Sequence, residues 1–304
     1  MKKRGIVLVL LTAIISGFSI FLNKFGVSGI NPYIFTFAKN ILVATFILSI
    51  VLLTTQFKQI KKLTKKQWLN LSLIGLLGGS IPFLLFFKGL QLTSGASGAF
   101  IHKTMFIFVA ILALTFLKEK LNKTIFIAAI LLLFGNFLLL KLNTFSFTTG
   151  EILILTATLF WAAEFTLSKH LLKKVSANIV AFGRMFFGSL FILVFLASTS
   201  QIQLIQSITL NQFSWILTTS VFLLFYVLTW YNGLKHVKVT TATSILLLGS
   251  PITTLLSIVF LGSTVTILQL VGLISISTGI FLIVYFSEAI STAYPKWMKT
   301  KSPI

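Results

Sequence analysis

Apolar runs of roughly 20 residues follow one another along this chain, the length a helix needs to cross a bilayer. Ten can be marked by their hydrophobic length and the polar breaks between them: 5–25, 33–56, 68–90, 96–117, 124–141, 150–170, 178–199, 213–234, 240–262 and 266–287. Asn31-Pro32 opens the second, because proline is tolerated in a first helical turn. Gln91 to Gly95 separates the third from the fourth, and Ser146 to Gly150 the fifth from the sixth. Water cannot host such a chain. Charged residues are 10 % of it, against about 25 % in soluble domains. The gaps between runs leave no room for a sizeable soluble domain. The expected fold is therefore an all-α integral membrane protein of ten transmembrane helices.

The net charge of +21 would point to nucleic acid in a soluble protein. Here its distribution gives a different account. With the N-terminus in the cytoplasm, the inside loops hold Lys58, Lys61, Lys62, Lys65 and Lys66; Lys118, Lys120 and Lys123; Lys169, Lys173 and Lys174; Lys235 and Lys238. The tail adds Lys296, Lys299 and Lys301. Outside there are only Lys24 and Lys141 at span edges, and no charge between Ser198 and Gln212. Positive loops stay cytoplasmic, so both termini are expected inside, in the inner or plasma membrane, with no nucleic-acid partner. The start Met1-Lys2-Lys3-Arg4 resembles a signal peptide, but the run behind it is long and has no clear small-x-small exit, so it reads as a retained span.

The second half repeats the first. Phe87-Lys88-Gly89-Leu90 matches Tyr231-Asn232-Gly233-Leu234, Lys39 matches Arg184, and Lys24 matches Lys169, at an offset of 144 or 145. Two five-span bundles joined head to tail must point opposite ways, an inverted repeat of the kind secondary transporters use. Residues 1–145 form the first repeat, 146–288 the second and 289–304 a basic cytoplasmic tail.

At these residues the chain resembles the EamA family of the drug/metabolite transporter superfamily. The marks are Trp161-Ala162 with Lys169, then Arg184, then Gly233-Leu234 through Ala242-Thr243-Ser244 to Pro251. In the first half, Ser94-Gly95-Ala96-Ser97-Gly98-Ala99 leads to Glu119, matching an acid that members carry after the fourth span. The resemblance implies a central cavity lined by the first, third, fourth, sixth, eighth and ninth spans, alternating access, and export of a small organic metabolite. Two departures stand out. Met105-Phe106-Ile107 replaces the proline expected midway along the fourth span, and Ser263-Thr264 stands where Glu119 would repeat.

Ionisable groups inside spans are costly and so are functional candidates: Lys39, Lys88, His102, Lys103, Glu164 and Arg184. Trp161, Glu164 and Ser168 are spaced i, i+3, i+7 on one face of the sixth span. Ser16, Ser19 and Asn23 hold the aligned positions in the first, with Thr12 a turn earlier. A carboxyl at Glu164 suits a substrate amine or a proton; the alternative is a structural pair with Lys169 or Arg184. Lys103 aligns with Leu247, on the face that carries Thr243, Ser250 and Thr254, where it would meet a carboxylate or phosphate or else snorkel outward. His102 points elsewhere and reads as a packing residue. Lys39 and Arg184 share a repeat position, and a structural job near the interface is favoured for both. Tyr226, Trp230 and Tyr231 read as interfacial anchors or cavity walls. Gly75, Gly78, Gly79, Gly95 and Gly98 allow close helix approach. Pro82 and the Gly249-Ser250-Pro251 break are hinge candidates, because proline removes a backbone bond.

The expected binding set is thus Glu164, Lys103, Trp161, Ser19, Asn23, Ser168, Thr243 and Ser250, with small solute, lipid and a proton as partners. No cofactor or metal is expected: there is no Cys, and the three His are scattered. A membrane-embedded enzyme is the competing class, but four Glu and no Asp or Cys assemble no nucleophile–base set. A passive channel or scaffold is the other.

Overall fold

The computed structural model describes residues 2–27, 29–54, 56–93, 100–119, 123–139, 148–262 and 266–292. The run Ser94 to Ala99, Lys120, Lys141, Ser146, Ser263, Thr264, the tail lysines and the junction at 145/146 lie outside them. Every element among the described residues is helical. They are α1 (Lys2–Gly26), α2 (Pro32–Leu52), the short α3 (Gln56–Ile60), α4 (Lys65–Ile74), α5 (Ile81–Leu92), α6 (Phe100–Thr115), α7 (Lys123–Leu139), α8 (Thr149–Leu171), α9 (Ala177–Ser198), α10 (Leu210–His236), α11 (Val239–Ile245), α12 (Gly249–Leu261) and α13 (Ile267–Thr292).

Among the described residues, seven segments are long and apolar enough to cross a membrane: Lys3–Asn23, Pro32–Leu52, Lys65–Gly89, Thr149–Leu171, Ala177–Ser198, Leu210–His236 and Val239–Leu261. Three shorter apolar helices, Phe100–Thr115, Phe126–Leu139 and Ile267–Leu282, fall within the other three expected spans. Large apolar side chains such as Val194, Val259, Phe260 and Ile274 stand more than 60 % exposed on the outside of the bundle. In lipid that surface needs no cover, and helices keep every backbone bond internal. The chain is a multi-pass membrane protein.

Local chemistry sets the helix starts. Asn31 Oδ1 accepts from the amides of Tyr33 and Ile34, with Pro32 at the first helical position of α2. Thr64 with Gln67 and Thr209 with Gln212 form capping boxes at the starts of α4 and α10. These two boxes are repeat mates, 145 residues apart at both positions. Thr64→Ala and Thr209→Ala are each expected to cost about 1 kcal/mol, read as a modest fall in the melting temperature of the purified protein.

Two prolines reshape their spans. Pro82 has no N–H to give the carbonyl of Gly78, four residues back, and the turn Gly75–Ser80 widens to a π-helix. Pro251 does the same to Leu247, where Leu246–Leu248 tightens to a 3₁₀ turn between α11 and α12. The third and ninth spans are therefore jointed rather than continuous.

The packing is indifferent to exchange of the halves. α1 lies on α10 as α5 lies on α8; α1 meets α12 as α6 meets α8; α2 packs on α9, and α7 on α13. Glycines mark the closest approaches at repeat-related places. A Cβ on Gly5 would stand 3.2 Å from the carbonyl oxygen of Gly233, and one on Gly150 would stand 2.8 Å from that of Gly89. Directions follow from the contacts. α1 runs against α10, with Gly5 beside Gly233, Thr12 bonded to Thr229, and Gly26 beside Thr219 and Trp215. α8 runs with α10, pairing Phe165 with Trp230, Glu164 with Tyr231, and Lys169 with Leu234.

Candidate functional site: a buried carboxylate–guanidinium pair

Trp161, Glu164 and Ser168 do share one face of α8, and that face is turned into the protein. Glu164 is fully buried. Its Oε1 accepts from the Ser168 hydroxyl at 2.5 Å and from the Tyr231 hydroxyl of α10 at 2.8 Å. Its Oε2 accepts no hydrogen bond among the described residues and lies 4.0 Å from Nε of Arg184, which α9 brings in. Among the described residues, Arg184 in turn has no hydrogen-bond partner at Nε or Nη1.

The π turn supplies the floor. The Gly78 carbonyl, deprived of its helical donor by Pro82, accepts from Trp161 Nε1 at 3.1 Å and from Arg184 NH2 at 3.2 Å. Next to it, the Gly79 carbonyl accepts from buried Asn40 at 2.9 Å. Glycine is required at 78 because a Cβ there would stand 2.4 Å from Cγ of Glu164. Aromatic rings flank the pair through Trp161 and Phe165. Trp161 packs against His102 at 5.0 Å and against Phe83 and Phe86 at 5.4 Å. Phe165 packs on Trp230 at 4.5 Å.

A carboxylate and a guanidinium out of water, each with unused hydrogen-bonding atoms, form an expensive arrangement. Leaving buried charged groups unsatisfied costs more than the weak 4.0 Å contact returns. What the arrangement can do is offer an acceptor and a donor of opposite charge side by side, at the centre of four packed elements.

The other expected residues fall into separate groups. Asn23 donates to Ser19 and accepts from Lys39 Nζ at 2.7 Å, and Lys39 also sits 4.7 Å from the centre of the Phe35 ring. Lys39 is thus tied inside the protein. Thr243 spends its hydroxyl on carbonyls of its own helix, and Ser250 is buried beside Gly249 and Pro251. Lys103 is 8 % exposed and forms no hydrogen bond or ion pair with Glu164 among the described residues. The His102 ring packs edge-on against Trp161 and Phe86, at 5.0 and 5.5 Å between ring centres.

Four expectations need correction. Arg184, for which a structural job near an interface was favoured and a pair with Glu164 was the alternative, is the cation beside Glu164. Lys169, the other partner considered for Glu164, instead donates to the carbonyls of Leu234 and Val237 at the end of α10. Trp230 and Tyr231 are fully buried and are not interfacial anchors. Lys39 does not snorkel. That Tyr231 bonds to Glu164 and that the Gly78 carbonyl takes Arg184 was missed; the proline four residues beyond Gly78 was the available signal. Among the described residues no group of three His, Asp or Glu could hold a metal. A 160 Å³ cavity lined by Gly29, Asn31, Leu204 and Gln212 and a 260 Å³ apolar groove beside Phe18 and Ile252 both lie away from Glu164.

The EamA-like transporter family profile matches residues 3–141 and again residues 148–285. This chain belongs to the EamA-like transporter family. Two curated relatives are named as uncharacterized transporters. An uncharacterized transporter in the cobO 3′ region of a Sinorhizobium species is 33 % identical over 113 residues, 37 % of this chain and 79 % of that protein. An uncharacterized transporter of Methanothermobacter thermautotrophicus is 29 % identical over 119 residues, and the match takes in 37 % of this chain and 35 % of that one. A solved crystal structure superposes with a TM-score of 0.80, covering 94 % of this chain and 99 % of that one at 12 % identity, a likeness of fold alone. Family and relatives alike point to a membrane transporter of the EamA type rather than to an enzyme.

Proposed function

We propose that this EamA transporter exports a small organic metabolite carrying an amine, amino-acid-like in character, by alternating access. The observation that carries the reading is the buried Oε2 of Glu164, 4.0 Å from Arg184 Nε, with Oε2 and the Nε and Nη1 of Arg184 all without a hydrogen-bond partner among the described residues. The carboxylate takes the amine or a proton, and Arg184 takes the substrate's anionic group. Lys103, one residue beyond the His102 that packs on Trp161, is a second candidate for that anionic group. The frame is ten helices in two inverted five-helix repeats. The opposed directions of α1 and α8, the packing that survives exchange of the halves, and the three shorter apolar helices within expected spans all support it. Basic loops support a cytoplasmic location for both termini.

The test is a thermal-shift screen of purified protein against amino acids, amines, nucleotides and organic anions, repeated with Glu164→Gln and Lys103→Met. An amine-bearing ligand at 100 times its Kd stabilises the wild type by about 2.7 kcal/mol through mass action. The expected result is that this stabilisation disappears in Glu164→Gln. Stabilisation unchanged in both variants would move the site elsewhere, and flux of the same ligand into liposomes would then show whether it is carried at all.

A further inference from the structure

The turn joining α10 to α11 is held from both sides by opposite charges that the carboxylate site does not use. Glu119, just past α6, accepts from the amide of Val239 at 3.0 Å, the amide of Thr240 at 3.4 Å and the Thr240 hydroxyl at 2.9 Å. These are the first donors of α11, which have no partner inside the helix, and a carboxylate there also meets the positive end of the helix dipole. Lys169, at the end of α8, donates to the carbonyls of Leu234 and Val237 at the end of α10, acceptors that a cation suits for the mirror reason. One short connection thus ties together the ends of α6, α8, α10 and α11 on the face of the basic loops.

From this geometry we infer that Glu119 and Lys169 close the cytoplasmic gate of the transporter. The inference rests on the alternating-access reading above. Opening this face requires α6 and α8 to part from the α10–α11 connection, and both side chains must then surrender their backbone partners. In sequence the opposite face has Lys24 in the place of Lys169, but Ser263-Thr264 in the place of Glu119. The contacts of Glu119 and Lys169 hold the α10–α11 connection against α6 and α8, so they favour the cytoplasm-closed state. Glu119 and Lys169 are positioning residues: they set which face is open and touch no substrate.

The protein has no cysteine of its own, which makes a labelling test clean. Ser244→Cys reports from the cytoplasmic half and Ser220→Cys from the other, both at buried serines. Each is placed in wild type, Glu119→Ala and Lys169→Met, and an impermeant maleimide is applied from either side of sealed vesicles. Loss of charge-assisted hydrogen bonds is expected to raise labelling of Ser244→Cys from the cytoplasmic side about tenfold while labelling of Ser220→Cys from the other side falls. A purely structural role for these residues would raise labelling at both sites, and that result would overturn the inference. Unchanged rates in both variants would also overturn it, while labelling of the two cysteines from opposite sides would leave alternating access standing. If neither cysteine reacts from either side in any variant, alternating access fails and the gate with it.

Discussion

Glu164→Gln is expected to lower transport of the cognate amine about 100-fold, the scale of losing one member of a desolvated charge pair. The substitution keeps the shape of the side chain and can still accept from Ser168 and Tyr231. What it removes is the charge facing Arg184 and the substrate. Stability alone cannot be the readout, because a guanidinium left buried without its counter-charge destabilises the fold by about 3–5 kcal/mol. The double variant Glu164→Gln, Arg184→Met separates the two effects. Replacing both members of a buried pair with neutral groups of similar volume is often nearly neutral for folding. The melting temperature is therefore expected to return toward wild type in the double variant, while transport stays lost. A double variant that folds and transports normally would mean that the pair serves assembly only. The coupling between the two sites, read from the cycle of single and double variants, should be large because they share one polar network.

Much of this molecule was legible in the sequence, and what was missed has a common cause. Spans follow from hydropathy because lipid imposes a length on each of them. The repeat was read from charged and glycine positions at a near-constant offset, and the family profile matches once in each half. The face of Trp161, Glu164 and Ser168 followed from helical spacing. Residues on different helices are another matter. Arg184 lies 20 residues beyond Glu164, and no periodicity says that α9 turns it toward α8 rather than toward lipid. Tyr231 meets Glu164 across 67 positions, and Glu119 meets Val239 across 120. Such contacts are set by how the repeats interlock, and each helix packs mainly on partners from the other half. The carbonyl of Gly78 is an intermediate case. Pro82 announces a freed acceptor in the sequence, but the donors that find it, Trp161 and Arg184, come from α8 and α9.

Interlocking also makes the second large effect, at Gly79 and Gly188. A Cβ on Gly79 would stand 2.3 Å from the backbone oxygen of Arg184 and 2.9 Å from Cα of Gly188; one on Gly188 would stand 2.7 Å from Cα and O of Gly79. These neighbours are main-chain atoms in two packed helical segments, so no side chain can swing aside to make room. Gly79→Val or Gly188→Val must push α9 off the π turn. Over-packing of this kind costs about 3 kcal/mol or more at rigid sites, and the expected result is little or no folded protein in a size-exclusion profile. Gly79→Ala is the more informative variant, because a partial displacement would lengthen the Arg184 bond to Gly78 and draw the guanidinium away from Glu164. Its expected signature is a loss of ligand stabilisation larger than its loss of melting temperature would explain. Gly262→Ala is the control. It has φ of +62° at the end of α12, with nothing within 4 Å of the added Cβ, so it should cost only about 1 kcal/mol of backbone strain and leave binding intact. Equal losses at Gly79 and Gly262 would show that the π turn tolerates α9 at a greater distance, and that Arg184 does not need the Gly78 carbonyl to hold its place beside the carboxylate.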